Sequence, residues 1–298
     1  MNLLSVNDLS KSEILEVFRI ADEIREGKLA GILEGKTLAL LFEKPSTRTR
    51  VSFEAAMLLL KGNSIYLDAK KLQVSRGETY EDTAKVLGLY ADFIAARLYD
   101  HDALVRMAKA SDAVVINALT DLEHPCQALS DIYSVRDAKG FKGTKIAFIG
   151  DIAANTANSL MLAATKLGIE IALVGPETVK PNPGYLKAAK RQGSVYVYSD
   201  IKEGFKGADV VYTDTWVSMG EEAEAGKRRK AFSSYQLNKS TLNYAKKDAV
   251  VMHCLPAHRG EEITSDVLDG KQSIVWQQAA NKLAVEKAIL LYLLDKER

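Results

Sequence analysis

The sequence predicts an α/β protein made of two doubly wound parallel-sheet domains. Strand-like and helix-like segments alternate along almost all of the 298 residues, which is typical of parallel sheets with crossover helices. This length is enough for two domains of ordinary size. A charged, glycine-containing stretch, Arg136–Gly143, lies between the two halves, and we interpret it as the domain crossing. The expected domains are therefore 1–135 and 136–278.

Four short apolar segments in the first half are predicted strands, and helix-forming segments separate them. The strands are Thr37–Phe42, Ser64–Leu67, Phe93–Arg97 and Ala113–Asn117. The helices are predicted near Thr49–Lys61, Thr79–Tyr90 and Asp102–Ala110, and from Pro125 onward. Proline suits the first position of a helix because the N–H it lacks would have no intrahelical partner there.

The second half repeats this alternation and ends in a helix. The predicted strands are Lys145–Ile149, Ile171–Val174, Ser194–Tyr198, Asp209–Thr213, Ala249–His253 and Ser273–Trp276. Ala279–Leu294 is a predicted helix because its apolar residues recur at helical spacing. Glu221–Lys230 is charged and rich in Ala and Gly, so we predict a loop. Such a loop is either a solvated connection or a mobile flap over an active site.

The composition excludes several classes of function. Forty basic and 39 acidic side chains give a net charge of +1, so nothing indicates a nucleic acid or a membrane surface as partner. Two cysteines, Cys126 and Cys254, do not make a disulfide framework. The N-terminal residues do not resemble a signal peptide, and no apolar run approaches membrane-spanning length. We therefore expect a soluble cytoplasmic protein.

The segment Ser46-Thr47-Arg48-Thr49-Arg50 lies where a predicted strand ends and a helix begins. The first N–H groups of a helix have no intrahelical partners, and the helix dipole favours negative charge there. Hydroxyl and guanidinium groups around such a point favour a bound phosphate. The alternative is an ordinary helix cap with solvated arginines, but a cap needs only one hydroxyl. We therefore predict an anion site in this segment.

Further polar residues follow the carboxyl ends of predicted strands in both halves. They are Arg97, His124, Gln127, Asp151, Asp214 and Cys254. Ligands of open α/β sheets bind at this edge, so the pattern predicts one cleft with a contribution from each domain. Structural roles are the alternatives: a salt bridge for Arg97 and a hydrogen bond for His124. Asp151 or Asp214 would alternatively cap a helix.

Neither a metal nor a cofactor is expected. The segment 253–258 contains two histidines and a cysteine, but His253 and Cys254 are adjacent and point to opposite faces of a strand. The spacing matches no common zinc motif. The segment 150–155 follows a strand as a dinucleotide fingerprint would, but it has a single glycine, which argues against NAD. A Walker-type phosphate loop is also absent from the sequence.

Four segments, in order, resemble the motifs of the transcarbamoylase family and especially of its ornithine-type members. They are Ser46–Arg50, His124–Gln127, Asp214–Gly220 and His253–Pro256. The resemblance covers nearly the whole chain. It implies transfer of a carbamoyl group from carbamoyl phosphate to the δ-amine of L-ornithine, giving L-citrulline and phosphate in arginine metabolism. It also implies that the C-terminal helix, 279–298, returns to the first domain and that the protein is a homotrimer or a multiple of trimers.

Carried over residue by residue, the resemblance implies two substrate subsites. The carbamoyl phosphate subsite comprises Ser46, Thr47, Arg48, Thr49, Arg97, His124, Gln127, Cys254, Leu255 and Lys282. The ornithine subsite comprises Asn155, Asp214, Ser218 and Met219. Arg97 and His124 would stabilise the negative charge that develops on the carbonyl oxygen. Asp214 and Cys254 would orient the attacking amine.

The chain departs from the family pattern at two positions. Ala280-Asn281-Lys282 stands where the family usually has Glu-Asn-Arg, and lysine keeps the charge without the planar fork of arginine. Ala154 replaces the first of two asparagines that often follow Gly-Asp, while Asn155 remains. A transcarbamoylase for another amine, such as putrescine or a modified ornithine, is the main alternative. A binding protein that holds a phosphorylated metabolite without turnover is the alternative outside enzymes.

Overall fold

The computed structural model describes residues 1–29, 31–217 and 222–296. It divides into two compact units, which are described separately below. Unit 1 comprises Met1–Ser130 and Asn281–Arg298, and unit 2 comprises Asp131–Ala280. Both divisions fall inside helices, and the stretch predicted as the crossing, Arg136–Gly143, begins inside the first of them.

Unit 1 is built on a sheet of four parallel strands. The strands are β1 (Thr37–Phe42), β2 (Asn63–Asp68), β3 (Phe93–Arg97) and β4 (Val114–Leu119). Its helices are α1 (Lys11–Arg25), α2 (Thr47–Leu59), α3 (Tyr80–Gly88) and α4 (His101–Ala110), and α5 (Pro125–Lys139) begins in it. The strand order is β2-β1-β3-β4. As predicted, α5 begins at Pro125.

The two inner strands of this sheet are apolar and covered on both faces. Every residue of β3 is buried, and so are the last five residues of β1. The β3–β4 register shifts between Ala96 and Arg97, so that Arg97 lies opposite Leu119. Such an irregularity changes the direction of a side chain at the end of a strand. It lies directly beside one of the predicted site residues, Arg97.

Unit 2 contains a second parallel sheet, of five strands. The strands are β5 (Lys145–Ile149), β6 (Glu170–Val174), β7 (Val195–Tyr198), β8 (Val210–Thr213) and β9 (Val250–His253). The helices are α6 (Asn155–Lys166), α7 (Pro183–Lys190), α8 (Ile201–Phe205), α9 (Ala225–Phe232), α10 (Lys239–Leu242) and α11 (Ser265–Leu268), while α12 (Val275–Asp295) begins in unit 2 and continues in unit 1. The strand order is β7-β6-β5-β8-β9, so the chain reverses its winding direction at β5. Ligands bind at such a reversal in doubly wound sheets.

The structure confirms the predicted α/β class and two parallel sheets, but two predicted elements are wrong. The strand expected at Ser273–Trp276 is limited to one bridge between Ser273 and Val251, and α12 begins at Val275. The apolar run there belongs to the first turn of a helix, in which Val275 is buried while Trp276 is exposed. Of the loop expected at Glu221–Lys230, Glu221 lies outside the described residues, and the rest contains most of α9 because Ala, Lys and Arg are good helix formers.

Among the residues that the structure describes, no helix has both the length and the apolar character needed to cross a bilayer. The longest, α12, contains 21 residues and carries charged side chains within its buried part.

The loops that follow β5 and β6 approach each other closely at two glycines. A Cβ atom on Gly175 would lie 2.7 Å from the carbonyl oxygen of Gly150. Gly150 has a φ of +116°, which favours glycine. We expect Gly175→Ala to reduce the free energy of unfolding by about 1–3 kcal/mol, because the backbone must shift. Urea unfolding measures this loss.

The matched control is Gly226→Ala in α9, where a Cβ atom would meet nothing within 4 Å. A helical Gly→Ala exchange of this kind is neutral or stabilising by up to about 1 kcal/mol. Equal stability losses in the two variants would contradict the role assigned to the close approach.

Candidate active site

The predicted phosphate segment forms the first turn of α2. The Ser46 hydroxyl caps the helix by accepting a hydrogen bond from the Thr49 N–H at 3.4 Å. Thr47 and Arg48 are exposed beside it, and Thr49 is buried. The structure confirms the cap at Ser46, and the anion site in the exposed first turn stays a prediction.

Arg50, the last residue of the segment, has structural partners instead. Its Nε donates to the Glu54 carboxylate at 2.9 Å, and its guanidinium lies 3.7 Å from the centre of the Tyr66 ring. An arginine that is both ion-paired and stacked is held on the surface of its own helix. The anion chemistry of the segment thus falls to its other members.

Lys282 lies at the centre of a buried polar cluster in unit 1. Its Nζ donates to Gln127 Oε1 at 2.8 Å and lies 3.4 Å from Thr49 Oγ1. The side chains come from three helices: α2 carries Thr49, α5 carries Gln127 and α12 carries Lys282. The lysine is 6% exposed, so its charge is poorly screened by water. The structure therefore brings the residue that departs from the family pattern into contact with two predicted site residues.

Arg97 and His124 are buried at the same end of unit 1. Arg97 ends β3, and His124 directly precedes α5. Burial, followed by the positive charges of Lys282 and Arg97, lowers the pKa of His124 well below its ordinary value. The imidazole is therefore neutral at pH 7 and can donate one hydrogen bond without carrying charge. Two cations and a neutral donor suit a ligand with an anionic group and a carbonyl group.

A residue that sequence reasoning missed, Glu286, lies one turn beyond Lys282 on α12. Its carboxylate is fully buried and 3.8 Å from Lys282 Nζ. Neither carboxylate oxygen has a partner within hydrogen-bond distance among the described residues, and the polar side chains that act on the carboxylate are those of Lys282 and Ser52. Burial raises the pKa of Glu286 to about 7, against the opposing effect of the Lys282 charge. The available signal was an acidic residue four positions after a site lysine, in a predicted helix where most other residues are apolar.

In unit 2, Asp214 and Cys254 form a hydrogen-bonded pair after two adjacent strands. Thr213 of β8 and His253 of β9 are in register, so the residues that follow them are neighbours. The Cys254 thiol donates to Asp214 Oδ1 at 2.9 Å. Burial, then the carboxylate of Asp214, raise the pKa of the thiol well above its ordinary value. Cys254 is therefore protonated at pH 7, and Asp214 is the anionic member of the pair.

Arg228 connects two further segments of unit 2. It forms an ion pair with Asp151, which follows β5, and its Nε donates to the Trp216 carbonyl at 2.7 Å. Sequence reasoning missed this arginine because it lies in α9, within the stretch taken for a loop. Together these two contacts hold the chain at Trp216 against Asp151. The predicted ornithine residues Ser218 and Met219 follow Trp216 and lie outside the described residues.

Asn155, the other predicted ornithine residue, is the first residue of α6. Ala154 occupies the N-cap position and provides no side-chain hydrogen bond there. The Asn155 side chain is partly exposed, and its Oδ1 lies 3.3 Å from the Thr156 hydroxyl. Replacement of the first family asparagine by Ala154 thus removes a possible cap while Asn155 stays at the helix start.

The ligand atoms of Asp214, His253 and Cys254 lie within 4.8 Å of one another, which is close enough for a metal ion. Both ring nitrogens of His253, however, are already hydrogen-bonded. Nε2 pairs with Glu262 Oε1 at 3.0 Å, and Nδ1 accepts from the Leu255 N–H at 2.8 Å. These bonds account for the cluster without a metal ion, and the expectation of a metal-free site stays a prediction.

The comparisons with known proteins define the class to which this fold and these residues belong. Residues 1–137 match the carbamoyl-P binding domain of aspartate/ornithine carbamoyltransferases, and residues 142–293 match the Asp/Orn binding domain. The chain belongs to the aspartate/ornithine carbamoyltransferase family.

The similar proteins are named as ornithine carbamoyltransferases. The one from Pyrococcus abyssi is 48% identical over 98% of this chain and 95% of its own. The structure of the Pyrococcus furiosus ornithine carbamoyltransferase has 48% identity and a TM-score of 0.92, covering 98% of this chain and 96% of that one. The anabolic ornithine carbamoyltransferase from Campylobacter jejuni has 39% identity and a TM-score of 0.94, covering 100% and 99%.

The buried carboxyl of Glu286 predicts a pH dependence of stability. Its ordinary pKa is 4.5 and its folded-state pKa is about 7, so between these values the folded protein holds a proton that the unfolded chain has lost. Stability from this group is fully present below pH 4.5 and is lost as the pH rises through about 7. The loss amounts to about 3 kcal/mol.

Urea unfolding at pH 5 and pH 8 measures this effect, and Glu286→Gln is expected to remove most of the difference. Glu54→Gln, at a half-exposed carboxylate of unit 1, serves as the control and is expected to leave it in place. If the wild type and Glu286→Gln lose stability equally between the two pH values, Glu286 is not the titrating group.

Proposed function

We propose that this protein transfers the carbamoyl group of carbamoyl phosphate to the δ-amine of L-ornithine, giving L-citrulline and phosphate. The observation that carries the choice of acceptor is the Asp214–Cys254 pair at the carboxyl ends of β8 and β9. An anionic carboxylate at this position suits a substrate with a cationic amine. The names of the relatives, which are ornithine carbamoyltransferases, agree with this choice.

The cluster in unit 1 suits carbamoyl phosphate. The exposed first turn of α2 and the cations Arg97 and Lys282 offer donors and positive charge for a phosphate dianion. His124 is neutral and buried, and it can donate to the carbamoyl oxygen. A neutral donor is useful there because the carbonyl oxygen gains negative charge only as the amine attacks.

The reaction follows from these groups. The δ-nitrogen forms a bond to the carbamoyl carbon, and the tetrahedral state collapses by breaking the bond to the phosphate oxygen. A donor to the oxyanion contributes about 3 kcal/mol to its stabilisation, a role that we assign to Arg97, His124 and Thr49. The leaving phosphate is neutralised by Arg48 and Lys282. The anionic group available to orient the amine and receive its proton is Asp214, because the Cys254 thiol is itself a donor.

We infer that the protein assembles as a homotrimer, or a multiple of trimers, in the cytoplasm. Exposed apolar side chains in unit 1 support an assembly: Leu58, Leu89 and Tyr90 are 73–75% exposed. Apolar surface of this kind is typical of subunit contacts. Light scattering after size-exclusion chromatography tests the inference, and a mass of 32.7 kDa would contradict it. We infer a role in arginine synthesis from the relatives named anabolic.

The lysine at position 282 is expected to bind carbamoyl phosphate more weakly than arginine would. Arginine offers two parallel donors to a phosphate, whereas lysine acts as a point charge. Lys282→Arg should therefore lower the KM for carbamoyl phosphate by about threefold to tenfold, with little change in the KM for ornithine. Lys287→Arg on the same helix is the control. An unchanged KM in Lys282→Arg would remove residue 282 from the phosphate site.

Acceptor specificity distinguishes the proposed activity from its alternatives. We expect citrulline from carbamoyl phosphate and ornithine, and at least about a hundredfold lower kcat/KM with putrescine or aspartate, because each mismatch leaves polar groups of the site unpaired. Product from each acceptor is measured at equal concentrations. A preference for putrescine would overturn the acceptor assignment, and the lack of product with every acceptor would overturn the enzyme assignment.

A further inference from the structure

The turn after β9 carries the predicted site residues Cys254 and Leu255 in a strained conformation. Leu255 has a φ of +60°, in the left-handed region that a leucine rarely adopts. A non-glycine residue in this region costs of order 1–3 kcal/mol and persists only where its surroundings fix it. The surroundings of Leu255 therefore have to supply that restraint.

The direct restraint on the turn is the side chain of His253. The Leu255 N–H donates to His253 Nδ1 at 2.8 Å, so this nitrogen must be unprotonated. The ring proton of the neutral imidazole is then on Nε2, which donates to Glu262 Oε1 at 3.0 Å. His253 and Glu262 have side chains that are fully buried. The two hydrogen bonds therefore point in the same direction: the Leu255 N–H donates to the imidazole, and the imidazole donates to the carboxylate.

The backbone of His253 is held from the opposite side by a second buried network. Its N–H donates to Gln278 Oε1 at 3.0 Å, and Gln278 Nε2 donates to Asp131 Oδ1 at 2.7 Å. Tyr212 donates to the other oxygen of Asp131 at 2.8 Å. The main chain of His253 is therefore fixed independently, and the orientation of its ring depends on Glu262.

Glu262 also binds the backbone of the segment that connects it to His253. Its Oε1 accepts a second hydrogen bond, from the His258 N–H at 2.6 Å. Its Oε2 has no hydrogen-bond partner among the described residues, and His258 Nδ1 lies 3.7 Å away. A buried, unpaired carboxylate oxygen costs stability. The chain tolerates this loss of stability at Glu262, whose other oxygen orients the imidazole of His253, the residue before Cys254.

We propose that Glu262 is a positioning residue: by holding the His253 ring it fixes the turn at Leu255 and so keeps Cys254 beside Asp214, the pair that orients the attacking amine of ornithine. The proposal rests on the carbamoyl transfer proposed above. Glu262 touches no reacting atom in this scheme. Its effect passes through one hydrogen bond to His253 and a second to the Leu255 backbone.

The test compares Glu262→Gln with Ile263→Val. The glutamine keeps the size of the side chain but lacks the charge that orders the two donors. Ile263 is fully buried beside Glu262, and Ile→Val costs about 0.5–1.5 kcal/mol, so it controls for a general loss of stability in this segment.

In Glu262→Gln we expect kcat/KM for ornithine to fall about tenfold, which is the size expected from one charge-assisted hydrogen bond. The KM for carbamoyl phosphate is expected to stay within twofold of the wild type, or about 0.4 kcal/mol. Ile263→Val is expected to leave both parameters at wild-type values. A KM for carbamoyl phosphate that rises by as much as kcat/KM for ornithine falls, wild-type kinetics in Glu262→Gln, or the same kinetic loss in Ile263→Val would overturn the proposal.

Two measurements do not depend on turnover. Cys254 is expected to react several-fold faster with iodoacetamide in Glu262→Gln, because its thiol leaves Asp214, while fully buried Cys126 is protected. In the wild type, ¹⁵N spectra of labelled histidine should show the His253 ring proton on Nε2. A proton on Nδ1 would overturn the proposal whether or not Glu262→Gln folds. A wild type that is inactive but shows this tautomer and thiol response would contradict the proposed function and retain the positioning role.

Discussion

All strands of a parallel sheet point the same way, so their carboxyl ends lie at one edge of the sheet. The candidate residues follow these strand ends, and the pairing of the strands brings them together. In unit 2 the register of Thr213 with His253 makes Asp214 and Cys254 neighbours, although 40 residues separate them. In unit 1 the same rule places Arg97 at the edge where α2 and α5 begin. The starts of these helices add positive potential at the edge through the helix dipoles. Donors for a phosphate and a carbonyl group therefore come from the fold itself.

Each unit contains a buried carboxylate next to a candidate site residue or its neighbour: Glu286 lies near Lys282 in unit 1, and Glu262 binds His253 in unit 2. The two carboxylates are held differently. Glu262 accepts two hydrogen bonds on one oxygen, and this arrangement orients the ring of His253. Glu286 lies beyond hydrogen-bond distance from Lys282, and burial raises its pKa to about 7. The first carboxylate orients a ring, whereas the second lies 3.8 Å from the buried ammonium group of Lys282. Both carboxylates have an oxygen without a hydrogen-bond partner among the described residues, and such a group costs stability when it is charged.

The elements predicted from sequence were those with strong apolar runs. The strands Thr37–Phe42, Phe93–Arg97 and Lys145–Ile149 have the predicted bounds, because burial on both faces leaves a continuous apolar signal. The same signal misled at Ser273–Trp276, where four residues cannot distinguish a strand from the first turn of a buried helix. The charged stretch before Phe232 was misjudged because amphipathicity is weak there, while intrinsic helix propensity is high.

The sequence by itself determined the fold class, the family motifs and the residue types available for chemistry, because these depend on local periodicity and on short ordered segments. Tertiary structure alone decided how those residues are used. It gave Arg50 a structural role with Glu54 and Tyr66, and it made Cys254 a donor to Asp214. It also brought Lys282 to Gln127, 155 residues away. Burial, charge and hydrogen-bond polarity depend on neighbours that are distant in sequence, so no local pattern specifies them.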